Sequence, residues 1–86
     1  IAGAQPTYVS FDIDFVDPTF APGTGTPEIG GPNSYQAQQV IRGLHGLDIV
    51  GTDLVEVSPP FDPTGGTAYL GASLMFELLC AMVARA

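Results

Sequence analysis

Eighty-six residues leave room for at most one small domain, and a chain this short buries only about 60% of its unfolded surface, so a core of its own is marginal. A formal net charge of -7, with no Lys and only Arg42 and Arg85 as strong bases, argues against a nucleic-acid partner and suits metals or cationic ligands. The single cysteine, Cys80, excludes an internal disulfide, and its place in an apolar helical run predicts an inert thiol.

The chain opens Ile1-Ala2-Gly3-Ala4 and enters a strand almost at once, as an internal segment would. Thr7 to Ile13, rich in β-branched and aromatic residues, predicts a buried strand that Pro18 ends. From Thr19 to Pro32 the prolines and glycines, among them Pro22, Gly23, Gly25, Pro27 and Gly31, predict a long structured loop of the kind that usually carries function. Asn33 or Ser34 then caps a helix through Ala37, Val40 and Ile41 that stops between Gly43 and Gly46. Asp48 to Val57 reads as a second strand closed by Pro59-Pro60. The last element, about Thr67 to Ala84, is a helix with apolar residues almost all round. Glu77 at its middle and its short length predict burial against a sheet or another subunit, not a membrane span.

Strand, loop, helix, strand, helix is a βαβα unit, which implies an α/β fold with a parallel sheet and a right-handed crossover. Two parallel strands cannot cover both faces of a sheet, so further strands are expected from elsewhere. In such sheets ligands gather beyond the carboxyl ends of the strands. Asp12 and Asp14 lie at that end of the first strand and Glu56 at that end of the second. As i and i+2 residues of a strand, the two aspartates are expected on one face, converging on a hard divalent cation. A calcium loop of the EF-hand kind starting at Asp12 fails, because it would want Gly at Asp17 and a bidentate Glu at Gly23. Asp12-Ile13-Asp14-Phe15-Val16 also matches the short signature of haloacid-dehalogenase-like phosphatases, but that chemistry wants a cation, commonly Lys, for the phosphoryl group, and the chain has none.

The longer string points elsewhere. Ser10 to Pro18, Ala21-Pro22-Gly23-Thr24-Gly25-Thr26-Pro27, Gly30-Gly31 and Gly51-Thr52-Asp53-Leu54-Val55-Glu56-Val57-Ser58-Pro59-Pro60 together resemble the C-terminal part of the ureohydrolase family, with agmatinases and guanidinobutyrases nearest. The resemblance implies a three-layer α/β/α arginase-like domain, of which residues 1–86 would be a C-terminal portion. It implies two manganese ions, or other divalent ions such as nickel, and hydrolysis of a small cationic guanidino compound to urea and an amine. By the same resemblance Asp12 would bridge both ions, Asp14 would bind one, and Glu56 would accept hydrogen bonds from the substrate guanidinium. A carboxylate is the planar, bidentate complement that a guanidinium requires. A cytoplasmic homo-oligomer, trimer or hexamer, is implied as well, with no nucleic-acid or membrane partner.

Around this core, Asp17 is expected to hold its turn or orient the ligands, and Thr24 and Thr26 to serve either the turn or the metals. Asp53, mid-strand among apolar neighbours, is expected to be paired and to support the ligands without binding metal itself. Glu28, Asp48, Asp62 and Glu77 read as solvated acids. The family's earlier metal-binding motifs, with His and Asp on preceding strands, are absent, and no catalytic group beyond the metal ligands is expected, so the segment alone is expected inactive. His45 cannot replace them, since it precedes the second strand and stands roughly 25 Å from the carboxyl-end rim. The alternative is a segment that keeps these elements but only scaffolds or oligomerises, with the apolar last helix as its interface.

Overall fold

The computed structural model describes residues 5–84, so Ile1 to Ala4, Arg85 and Ala86 lie outside it. The strand β1 (Thr7–Asp12) pairs in parallel with β2 (Ile49–Val55), placing Ser10 opposite Asp53 and Asp12 opposite Val55. The helix α1 (Ser34–Arg42) connects them, and α2 (Gly66–Ala84) follows the second strand. This is the βαβα order expected. The sheet, two-stranded among the described residues, and one helical layer are present.

One face of the sheet is the core face. Val9, Phe11 and Leu54 meet Ala37 and Ile41 of α1 and Leu74 and Leu78 of α2. Fully burying an Ile or Leu side chain contributes about 1.5–3 kcal/mol, so these few contacts fix the layer. The other face carries Tyr8, Ser10 and Asp53, and Tyr8 is 60% exposed. Gly51 has a specific role there, because a Cβ on it would stand 2.9 Å from the Tyr8 ring.

The first strand ends sooner than the sequence suggested. It stops at Asp12, and Ile13–Phe15 forms a 3-10 turn well before Pro18. Two local forces bend it. The Ile13 side chain is fully buried, and the Asp12 carboxylate accepts the Asp14 N–H at 3.0 Å, capping the turn. Phe15 then packs edge-on against Phe11, ring centroids 5.8 Å apart.

Asn33 rather than Ser34 caps α1. Its side chain accepts the Gln36 N–H at 2.8 Å, and Gln36 Oε1 accepts the Asn33 N–H at 2.9 Å, a reciprocal capping box. Arg42, in the last turn, forks onto Glu77 of α2 with Nε–Oε1 at 2.8 Å and Nη2–Oε2 at 3.2 Å. Glu77 is therefore not a solvated acid: the Arg42 guanidinium holds its carboxyl below the usual range, and the pair ties the two helices.

The helix α2 buries Leu74, Leu78 and Ala81 on one side and exposes Met75, Phe76, Leu79 and Val83 on the other. Its stretch Gly66–Val83, with mean hydropathy 1.5, is long and apolar enough to cross a membrane, which corrects the expectation from length. In this fold 33% of that stretch is buried inside the chain instead. Cys80 is half-buried in it as a free thiol.

Candidate functional site

Asp12 and Asp14 come together, though not as alternate residues of a strand. The turn that begins at Asp12 brings the second carboxylate next to the first while Ile13 is buried in the core. Burial pushes the Asp12 carboxyl up; the Asp14 N–H opposes this and the neighbouring Asp14 carboxylate adds to it. Two neighbouring acids, both half-buried, favour a cation between them. The Thr26 hydroxyl donates to Asp14 Oδ2 at 2.7 Å and so orients it from the loop. Thr24, the other candidate, is only 2% exposed, and its Oγ1 has no hydrogen-bond partner among the described residues.

Glu56 begins one residue beyond the Asp12–Val55 pairing, where β2 has ended. Its φ is +72°, and it is the one non-glycine with positive φ among the described residues. This left-handed conformation costs a side-chain-bearing residue about 1–2 kcal/mol. It lets Val57 pack on the core while Glu56 stays exposed. Strain of this kind gathers at functional positions.

The remaining candidates hold structure around this rim. Asp17 accepts the Thr19 N–H at 2.9 Å and the Gly30 N–H at 3.2 Å, chiefly the first of which keeps its carboxyl low, and so closes the loop. The loop's return is tight, since a Cβ on Gly31 would stand 2.3 Å from the Phe15 carbonyl oxygen. Asp53 is paired as expected, but with the Ser10 and Tyr8 hydroxyls of β1, which lower its carboxyl in that order. Those bonds brace the open sheet face two pairing steps below Asp12 and Val55 and do not reach the two aspartates. His45 is exposed just past α1. A groove of about 360 Å³ between α1 and α2, lined by Gln38, Tyr69 and Phe76, contains none of the candidates.

One buried acid escaped the sequence reading. Asp62, 7% exposed, accepts the Thr67 N–H at 2.7 Å, the Thr67 hydroxyl at 2.6 Å, and the hydroxyl and N–H of Thr64. The local signal was present: an acid a few residues ahead of a helix start, followed by two threonines, can cap that start. These donors, the Thr64 hydroxyl first, hold its carboxyl down at about 2. Because the folded value lies below the unfolded one of 3.8, Asp62 stabilises the fold above that pH and loses the contribution as pH falls from 3.8 towards 2. Thermal melts of Asp62→Asn and the parent should therefore differ at neutral pH and converge as pH falls through that window. A gap that stays constant down to the lower bound would contradict it.

Oxygen donors and net negative charge suit hard divalent ions. Asp12 and Asp14 fit as part of such a ligand set, but no group of three His, Cys, Asp or Glu able to hold a metal occurs among the described residues. The remaining ligands would have to come from outside them.

Comparison with known proteins bears on this arrangement. The profile of the arginase family matches residues 1–81. Guanidinopropionase of Pseudomonas aeruginosa is 67% identical over 86 residues, which are 100% of this chain and 27% of that protein. The mitochondrial agmatinase of Gallus gallus is 60% identical over 80 residues, 93% of this chain and 24% of that one. Proclavaminate amidino hydrolase from Streptomyces clavuligerus superposes with a TM-score of 0.93 at 45% identity, over 98% of this chain and 28% of its own. The chain thus spans about a quarter of the length of the curated relatives it matches.

Proposed function

Because the chain belongs to the arginase family of ureohydrolases, we propose that residues 1–86 are the C-terminal portion of a metal-dependent amidinohydrolase that splits a guanidino compound into urea and an amine. The observation that supports this best is the clustering at one sheet edge: two crowded carboxylates leave β1 where a strained Glu56 leaves β2.

In this reading Asp12 and Asp14 are ligands of a pair of divalent ions, manganese by family resemblance. When bound, such a pair acidifies water to near-neutral pKa and stabilises the charge of tetrahedral guanidino hydrolysis. The chain's own residues do the rest. Thr26 orients the Asp14 carboxylate through Oδ2, and the capping bond orients Asp12. Glu56 receives two parallel N–H bonds from the guanidinium, holding its plane against the rim. Asp17, Asp53 and Thr24 support the loop and sheet that carry these groups.

The relatives' names lean towards guanidino acids, with an agmatinase beside them. A guanidino acid has a distal carboxylate that wants a cation, and Arg42, the one Lys or Arg among the described residues, is engaged by Glu77. The group that receives the distal end is therefore contributed from outside the described residues. We assign the whole enzyme to a homo-oligomer, trimer or hexamer, in the cytoplasm.

The test is a panel of guanidinopropionate, guanidinobutyrate and agmatine on the complete enzyme, with metal analysis. Urea release from at least one of them, lost on chelation and restored by manganese or nickel, is expected. No release from any overturns the reading and leaves the scaffold alternative, which draws on the exposed apolar side of α2.

A further inference from the structure

Gly23 is held from both sides. Its N–H donates to Thr67 Oγ1 at 2.8 Å, and that hydroxyl donates on to Asp62 Oδ2 at 2.6 Å. Its carbonyl accepts the Ser58 N–H at 2.6 Å. A side chain cannot be accommodated there, because a Cβ would stand 2.8 Å from Thr67 Cβ and 2.9 Å from Asp62 Cβ. Both halves of the rim are joined at this one residue. Three positions further along the loop is Thr26, which grips Asp14; two positions before Ser58 is Glu56.

The arrangement solves a mechanical problem. Glu56 is exposed and in a left-handed conformation, so its own surroundings do not hold it; its position is set by the flanking segment. Val57 is packed on the core and Ser58 is bonded to Gly23, while the start of α2 holds Gly23 through a hydroxyl whose proton is fixed by a buried carboxylate. Bonds to an ionised acceptor are the stronger kind, and Asp62 stays ionised across the working pH range.

We propose that the Asp62–Thr67–Gly23 chain of hydrogen bonds is a positioning device that sets the placement of the guanidinium-binding Glu56 relative to the metal-binding Asp12 and Asp14. This rests on the ureohydrolase reading above. Asp62 and Thr67 are positioning residues, since they act through Gly23 and touch no substrate.

The experiment compares Thr67→Val, which removes both hydroxyl links at nearly constant volume, with Thr67→Ser, which restores them, in the complete enzyme. Readouts are kcat and KM on the best guanidino substrate, manganese content, melting temperature, and hydrogen exchange of the Gly23 and Ser58 amides. In Thr67→Val, kcat/KM is expected to fall about tenfold, mainly through KM, since a displaced Glu56 loses ground-state grip. Metal content should stay near that of the parent, exchange at both amides should quicken, and Thr67→Ser should return kcat/KM and both exchange rates towards the parent. Asp62→Asn is the second variant and should move KM the same way if Thr67→Val fails to fold. A lowered melting temperature with unchanged KM and kcat in the folded variants overturns the positioning role and leaves the ureohydrolase reading intact. A parent enzyme silent on every guanidino compound overturns that reading and this inference with it.

Discussion

Asp12→Asn in the complete enzyme is expected to fold normally, lose its divalent metal and release no measurable urea. Asparagine caps as well as aspartate, so the bond from the Asp14 N–H survives and the 3-10 turn stays. What the substitution removes is charge at a site where burial and Asp14 already strain the carboxylate. The metal-free variant should therefore melt no lower than the metal-free parent. Metal affinity should drop by more than the roughly 10- to 100-fold typical of losing a supporting partner, because a ligand itself is lost. Metal analysis, calorimetry of the metal-free forms and a urea assay check this together. Full metal content with unchanged turnover would remove Asp12 from the site.

Glu56→Gln should keep the metal and lose the substrate. Replacing one partner of a close charge pair costs about 3 kcal/mol, roughly a hundredfold in kcat/KM. Glu56→Gly separates function from folding. Glycine adopts positive φ freely, so relief of the +72° strain offsets the added flexibility of the unfolded chain, and stability should not fall. Activity should drop at least as far as in Glu56→Gln. If Glu56→Gln turns over normally, the guanidinium has another receptor; if both variants lose metal, Glu56 belongs to the ligand set instead.

Much of the site's neighbourhood was legible because its signals are local. The Asn33 cap, the glycines and prolines of the loop and the apolar runs of the two strands depend on neighbours a few residues away. The Asp12-Ile13-Asp14 cluster was legible as chemistry but not as geometry. Strand alternation gave one face, whereas the buried Ile13 and the Asp12 cap produce a turn that brings the carboxylates together by another route. Asp62 was missed although its partners lie within five residues, because several acids in polar stretches look alike until burial is known.

The sequence by itself determined the order of elements, the acidic rim and the family, since these follow from local propensity, spacing and a long ordered motif. Only the tertiary structure decided which acids are held and by what. Glu77 meets an arginine 35 residues away, Asp53 meets hydroxyls more than 40 residues away, and Gly23 meets Thr67 across 44. The physical reason is common to all three: a carboxylate or an amide is set by whichever partner replaces water, and that partner is chosen by how the strands and helices pack.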